Sequence, residues 1–223
     1  MHMFEWTQNI DWPSMLLSTG QTLYMTIISG IFTFVLGIVL GLVLFLTAKG
    51  GLYENKIVYQ LIASFVNVFR SIPFIILIIL LIPLTVLIIG TMIGASAALP
   101  SIIIGAAPFY ARLVEIGLRE VDKGVIEAAQ AMGATRWQIV WKVLLPESLP
   151  SITSGMTVTL IALIGNTAMA GVVGAGGLGT IAYNDGFEAN NNTITFIATI
   201  IILVIVFIIQ YAGDIITRRV DKR

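Results

Sequence analysis

The chain has no cysteine, one histidine (His2) and few charges, with 12 Lys and Arg against 12 Asp and Glu. It therefore offers no disulfide, no thiol nucleophile and no zinc site built from Cys or His ligands. Because the formal net charge is zero, the overall charge does not point to nucleic acid or to an acidic substrate. We expect no metal, no cofactor and no nucleic-acid partner.

Apolar residues dominate what is present, at 57% of the chain, and the mean hydropathy is +0.98. This composition predicts a membrane protein surrounded by lipid. Four uncharged runs are each longer than the ~20 residues that span a bilayer as a helix. They extend over Trp12–Ala48, Ser71–Ala111, Ser148–Asn184 and Ala189–Gly213.

Two of these runs contain turn-forming residues. The second run has about twice the length of one span and carries Gly90, Gly94 and Pro100 near its middle, which predicts two helices. The third run ends in the glycine-rich residues 171–179, which predict one span followed by a closely packed, poorly helical external segment. The expected fold class is all-α, a polytopic membrane protein with about five transmembrane helices.

The distribution of Lys and Arg predicts the side on which each loop lies, since short cytoplasmic loops carry the excess of positive charge. The tail before span one and the loops after spans two and four contain only acidic charges, namely Glu5, Asp11, Asp185 and Glu188. The loops after spans one, three and five carry Lys49, Lys56, Arg112, Arg119, Lys123, Arg136, Lys142, Arg218, Arg219, Lys222 and Arg223. The N-terminus is therefore expected outside and the C-terminus in the cytoplasm.

Arg70 lies beside the second span and has two possible interpretations. It can mark the cytoplasmic start of that span, with Ser71 capping the helix and Pro73 in its first turn. Alternatively, it can be an intramembrane cation facing a pathway, although the sequence offers it no acidic partner. We assign it no role.

Gly37 and Gly41 form a G-x-x-x-G pair in the first span. Such a pair favours close contact between helices. The contacting helix can belong to the same subunit, so the pair predicts packing and no particular assembly.

Charge is concentrated in a cytoplasmic segment from Arg112 to Glu147, which is strongly patterned. The sequence at its centre predicts a helix with small side chains, namely the alanines at 128, 129 and 131. A stop at Gly133 and a second helix capped by Thr135 follow. We expect Glu127 in the first turn, available for a charged contact with a partner. From physical chemistry alone, a helix docked in a partner's groove and an ordinary amphipathic interfacial helix remain equally possible.

The same segment resembles the coupling motif of bacterial ABC importer permeases, in which Glu-Ala-Ala, a Gly and an aliphatic-x-Leu-Pro recur at fixed spacing. The matching residues are Glu127, Ala128, Ala129, Gly133, Val143, Leu145 and Pro146, with Val143 where Ile is usual. The resemblance implies the type I ABC importer permease fold. It also implies that the helix lies in a cleft of an ATP-hydrolysing subunit and converts closure of that subunit into opening of the membrane pathway.

Four further stretches are similar to methionine-importing members of this family: residues 69–79, 105–115, 173–179 and 210–215. This resemblance implies import of L-methionine, and of D-methionine as well, across the bacterial cytoplasmic membrane. The implied partners are two ATPase copies, a second permease copy, an extracytoplasmic methionine-binding lipoprotein near residues 185–192, and membrane lipid. Import of a betaine, a phosphonate or another amino acid stays open as an alternative.

The implied organisation is one transmembrane domain, residues 19–218, which includes a coupling segment at residues 119–147. Residues 1–18 would form an external tail and the start of the first span, and residues 219–223 a cytoplasmic tail. No G-x-x-x-x-G-K-[ST] loop is present, so the chain is expected to be non-catalytic.

Met169 is a bulky residue among small neighbours at the end of the fourth span. Two copies of its flexible thioether could close the external end of a pathway. A plain packing role remains equally possible.

Other functional classes account for the sequence less well. The uncharged runs contain no His, Cys, Asp, Glu or Lys, so an intramembrane enzyme would have no nucleophile and base there. An ion-coupled carrier usually has buried ionisable groups and related halves, which five spans do not favour. A channel without energy coupling would leave the patterned cytoplasmic segment unexplained.

Overall fold

The computed structural model describes residues 10–221, and all regular structure within that range is helical. The predicted external tail falls largely on residues 1–9, and Lys222 and Arg223 also lie outside the described residues. The helices are α1 Trp12–Thr47, α2 Lys56–Ser71, α3 Phe74–Leu80, α4 Ile82–Ile89, α5 Ala95–Arg119, α6 Lys123–Ala131, α7 Arg136–Ile139, α8 Leu145–Val172, α9 Leu178–Thr180 and α10 Asn192–Val220. Wider π-type turns follow α7 and α9, at Val140–Leu144 and Ile181–Glu188.

Four helical stretches in the described part of the chain are long and apolar enough to cross a membrane, and the number is five if one bent pair of helices counts as a span. The four are α1, α5, the stretch Arg136–Val172 and α10, and the pair is α2 with α3, which meet at 107°. The predicted break in the second uncharged run is confirmed, because α4 ends before a left-handed Gly90 and α5 begins at Ala95.

The second predicted span is interrupted, which the sequence analysis did not anticipate. It consists of α3 and α4, which are separated at Leu81. Pro83 stands in the first turn of α4 and lacks the N–H that a continuous helix would use, which explains the break.

The start of this span also differs from the prediction. Ser71 does not cap α3; its hydroxyl donates to the Asn67 carbonyl at 2.8 Å, at the end of α2. Pro73 is the residue that precedes α3, and it provides no side-chain cap. Arg70 is exposed in the last turn of α2, an amphipathic helix that the sequence analysis missed.

The chain divides into two compact units. Among the described residues, the first unit comprises 10–32, 72–105 and 160–210, and its core contains Ile164, Leu178 and Ala198. The second comprises residues 33–71, 106–159 and those after 210, and its core joins α5, the coupling segment and the start of α8. The buried residues of this second core are Tyr110, Val114, Leu118, Val121, Ala129, Ile139, Val140, Leu144 and Ile152.

The glycine pair in α1 packs within the second unit. A Cβ on Gly41 would lie 2.7 Å from the Ala111 carbonyl oxygen and 2.7 Å from Val114. A Cβ on Gly37 would overlap the Tyr110 ring. The predicted close helix contact is therefore made inside the same chain, between α1 and α5.

We predict that Gly41→Ala lowers the thermal unfolding midpoint of the purified protein, because the methyl group would meet backbone that cannot rotate away. Overpacking of this kind costs about 1–3 kcal/mol, which corresponds to roughly 2–4 °C per kcal/mol in a chain of this size. Gly20→Ala is the matched control, since nothing lies within 4 Å of that Cβ. Equal midpoints for the two variants would show that α1 and α5 tolerate a methyl group at this contact.

Candidate functional site

The first candidate site is the coupling segment, residues 119–147, whose leading helix is α6. The Asp122 carboxylate caps this helix by accepting a hydrogen bond from the Gly124 N–H at 2.6 Å. Because α6 begins at Lys123, Glu127 lies in its second turn, and the prediction of a first-turn position was wrong. Glu127 and Ala128 are exposed, whereas Ala129 is 5% exposed and belongs to the core of the second unit.

The glycine stop after α6 is confirmed. Gly133 has φ = 81°, a backbone conformation that residues with a Cβ rarely adopt. The Ala134 N–H donates to the Ala129 carbonyl at 3.0 Å, which closes the helix end. Met132, just before the stop, is 83% exposed and is the most prominent apolar side chain on this surface.

The predicted cap by Thr135 is also confirmed, and it forms a complete capping box. The Thr135 hydroxyl accepts from the Gln138 N–H at 3.3 Å, and the Gln138 side chain accepts from the Thr135 N–H at 2.8 Å. The turn between α6 and α7 is therefore fixed by local hydrogen bonds, with Ile139 and Val140 directed into the core.

The end of the motif connects this turn to α8. Val143 and Leu145 are partly buried against the same core, and Pro146 is exposed. Pro146 has no N–H to offer the carbonyl of Lys142, four residues earlier, where the backbone forms its wider turn. The motif residues thus have two roles: Ala129, Val143 and Leu145 anchor the segment, while the others are presented at its surface.

A buried carboxylate stabilises the start of the segment, and the sequence analysis did not identify it. Glu115 is fully buried in α5 and accepts from Arg112 at 2.5 Å and from Arg119 at 2.6 Å. The i,i+3 and i,i+4 spacing of these residues was the available signal. A buried carboxylate needs such partners, so the two arginines hold α5 in shape where the coupling segment begins.

The second candidate site lies in the first unit, at the end of α8. Met169 is 47% exposed and stands three residues before the end of that helix. A Cβ on Gly171 would lie 2.5 Å from the Thr180 N, so the end of α8 packs backbone to backbone against α9. Met169, Val172 and Val173 are the large apolar side chains exposed near this helix end, and Met169 is the largest of them.

Residues 173–177, between α8 and α9, are non-helical as predicted, but helix then resumes, which the prediction missed. Gly174, Gly176 and Gly177 all have positive φ. The loop is held by α1, where Gln21 accepts from the Gly177 N–H at 2.7 Å and Thr22 from the Leu178 N–H at 2.9 Å. No local pattern indicates contacts between residues 156 positions apart.

The sequence predicts that Asp185 and Glu188 lie in a loop, and this prediction was wrong. They are part of the wide helical segment Ile181–Glu188, which continues α9. Both residues are exposed, so a charged surface is available there.

Comparisons with known proteins cover both sites. The family described as the inner membrane component of binding-protein-dependent transport systems matches residues 34–222. The methionine import system permease protein MetP of Bacillus subtilis (strain 168) is 60% identical over 222 residues, which is 99% of this chain and 100% of that protein. The probable D-methionine transport system permease protein MetI of Vibrio cholerae serotype O1 is 49% identical over 209 residues, 94% of this chain and 93% of that protein.

Solved structures agree with these relatives. An inward-facing MetNI methionine ABC transporter matches with a TM-score of 0.93 at 46% identity, covering 96% of this chain and 100% of that chain. An amino acid ABC transporter with histidines shares the fold at a TM-score of 0.70 and 21% identity, covering 95% of this chain and 100% of that chain. With the family match extending over residues 34–222, this chain belongs to the inner membrane components of binding-protein-dependent transport systems.

Proposed function

We propose that this chain is the permease subunit of an ABC importer that carries methionine across the bacterial cytoplasmic membrane. The observation that carries the proposal is the full-length similarity to methionine permeases, together with a coupling segment built into the core of the second unit. The permease is a multi-pass membrane protein and works as a dimer with an ABC ATPase. It is itself non-catalytic, and the energy comes from ATP hydrolysed by the partner.

The coupling step follows from the construction of the segment. Exposed Glu127, Ala128 and Gly133 present a small surface with one carboxylate, which suits a groove on the ATPase. Because Ala129, Ile139 and Val140 are packed with α5 and the start of α8, the segment would move together with them. α8 ends at Val172, so its displacement would move Met169 and open or close the pathway there.

The proposed orientation places the N-terminus outside and the C-terminus in the cytoplasm, with residues 19–218 as the transmembrane domain. Lys and Arg in the loops after spans one, three and five support this orientation. Asp185 and Glu188 then lie on the external side, where an extracytoplasmic methionine-binding lipoprotein would dock. Such a receptor would provide most of the substrate selectivity, including acceptance of D-methionine.

We predict that Glu127→Arg reduces methionine uptake at least about tenfold, because it places a cation where the ATPase groove receives a carboxylate. A tenfold loss corresponds to ~1.4 kcal/mol of coupling or binding free energy. Labelled L- and D-methionine uptake would be measured in cells without their own methionine importers, which express this chain with its cognate ATPase and receptor. Lys56→Glu, an exposed charge reversal outside the segment, is the matched control.

Normal uptake by Glu127→Arg would contradict coupling through this residue. Receptor-dependent uptake of another solute, with no uptake of methionine, would keep the transporter class and overturn the substrate.

We predict that Met169→Ala weakens closure of the pathway, since truncation removes the largest side chain exposed near the end of α8. In proteoliposomes, ATP hydrolysis per imported methionine should rise severalfold, and methionine should leak without ATP. Leu87→Ala, which truncates an exposed side chain on α4, distinguishes the gate from a general effect of losing an exposed apolar side chain. Unchanged uptake and unchanged stoichiometry in Met169→Ala would leave this side chain with a packing role only.

We predict that reversing Asp185 and Glu188 to Lys reduces stimulation of ATPase activity by the receptor severalfold, while basal ATPase activity persists. The reason is loss of charge complementarity, so the defect should depend on ionic strength. Asp11→Lys, at the other carboxylate of the described chain that we place outside, is the control. Full stimulation in the double variant would rule out docking at this surface.

A further inference from the structure

A cavity of about 190 Å³ lies within the first unit. It is bounded by α3, α4, the start of α5 and residues 173–175. Its walls are mostly aliphatic, with Ile78, Ile82, Met92 and Ala98 among them, and no ionisable side chain lines it. An engineered apolar cavity of about 150 Å³ is large enough to bind benzene, so this one has room for a small apolar group.

One buried polar atom in the cavity lining lacks a partner. Ser101 lines the cavity and is 1% exposed, and its Oγ has no hydrogen-bond partner among residues 10–221. Other buried hydroxyls in this unit, such as those of Thr26 and Ser29, donate to the carbonyl four residues earlier. Leaving a buried hydroxyl unpaired costs free energy, and rotation of the Ser101 side chain would let it donate to a group in the cavity.

We propose that this cavity receives the side chain of the transported amino acid, with the Ser101 hydroxyl donating to the thioether sulfur. The inference rests on the proposed function and assigns a substrate subsite within it. A thioether is apolar along most of its length and is a weak hydrogen-bond acceptor, which matches aliphatic walls whose lining side chains include only two hydroxyls, those of Ser101 and Thr85. Since no ionisable group lines the cavity, the ammonium and carboxylate of the substrate stay at its mouth.

The position of the cavity connects it with the candidate gate. Val173 and Gly174 line it and follow directly on α8, which carries Met169. The Gly94 N–H donates to the Gly174 carbonyl at 2.9 Å, so the turn before α5 and the glycine loop are joined at the cavity. Met92 is an exposed and flexible part of the wall, which allows the cavity to admit a side chain and close over it. A side chain bound in the subsite would thus contact residues 173–175, which directly follow the helix α8 that carries Met169.

The test uses the permease–ATPase complex in nanodiscs, without receptor, and a photoreactive diazirine analogue of methionine. After illumination, the labelled peptides are identified by mass spectrometry. We expect labels on residues 78–101 and 173–175, which excess methionine should suppress. Ala98→Leu fills the cavity and should reduce labelling at least about fivefold, whereas Ala189→Leu, an exposed position outside it, should not.

The hydroxyl is tested separately by Ser101→Ala, which keeps the size of the side chain. Norleucine has a methylene in place of the methionine sulfur, so methionine should compete better than norleucine in the unmodified protein. A single hydrogen bond supports a preference of about two- to tenfold. In Ser101→Ala this preference for methionine should decrease. This comparison decides the question even if Ala98→Leu fails to assemble.

Three outcomes would overturn the subsite: labelling only outside the cavity, no labelling, or an unchanged preference in Ser101→Ala.

A parallel experiment uses a phospholipid with a diazirine in its acyl chain. If this lipid labels the cavity and the methionine analogue does not, the occupant is an acyl chain. Uptake of labelled methionine by cells expressing the unmodified protein keeps the two proposals apart. Normal uptake without cavity labelling rejects the subsite alone, whereas absence of methionine uptake rejects the proposed function.

Discussion

Burial of the coupling segment in the core of the second unit is the interaction on which the proposed mechanism depends. Ala129, Ile139 and Val140 share that core with Tyr110 of α5 and Ile152 of α8. Protein interiors are close-packed and transmit displacement instead of absorbing it. An exposed helix that lacked these anchors could bind an ATPase and still move nothing, so the inward face of the segment matters as much as its outward face.

The requirement for close packing also explains why small residues recur where helices meet. Gly41 lets α1 approach the Ala111 backbone, and Gly171 lets α8 approach Thr180. Lipid provides no hydrophobic drive between helices, so close packing and internal hydrogen bonds must hold such contacts together. At the end of α5, the bonds from Arg112 and Arg119 to the Glu115 carboxylate are internal hydrogen bonds of this kind.

Local signals made much of this fold predictable from the sequence. The stop at Gly133 and the cap at Thr135 depend on a few neighbouring residues, and both are confirmed. The position of Glu127 was wrong by one turn because Asp122 caps α6 earlier than the alanines indicated. The break at Leu81 was missed because an apolar run carries weak periodicity, whereas the amphipathic pattern of α2 was an available signal that was not used.

Long-range features could not be predicted, and the contacts around the candidate gate consist largely of them. The bonds from Gln21 and Thr22 to the loop before α9 join residues 156 positions apart, and nothing in either stretch indicates the other. Ser101 looks like an ordinary helical serine until the three-dimensional arrangement leaves its hydroxyl buried without a partner. A permease that delegates selectivity to a receptor needs only weak interactions of this kind along its path, because a deep charged site would retain the substrate. A hydroxyl in an aliphatic cavity would be a weak interaction of this kind, because it would favour a thioether and still let it leave.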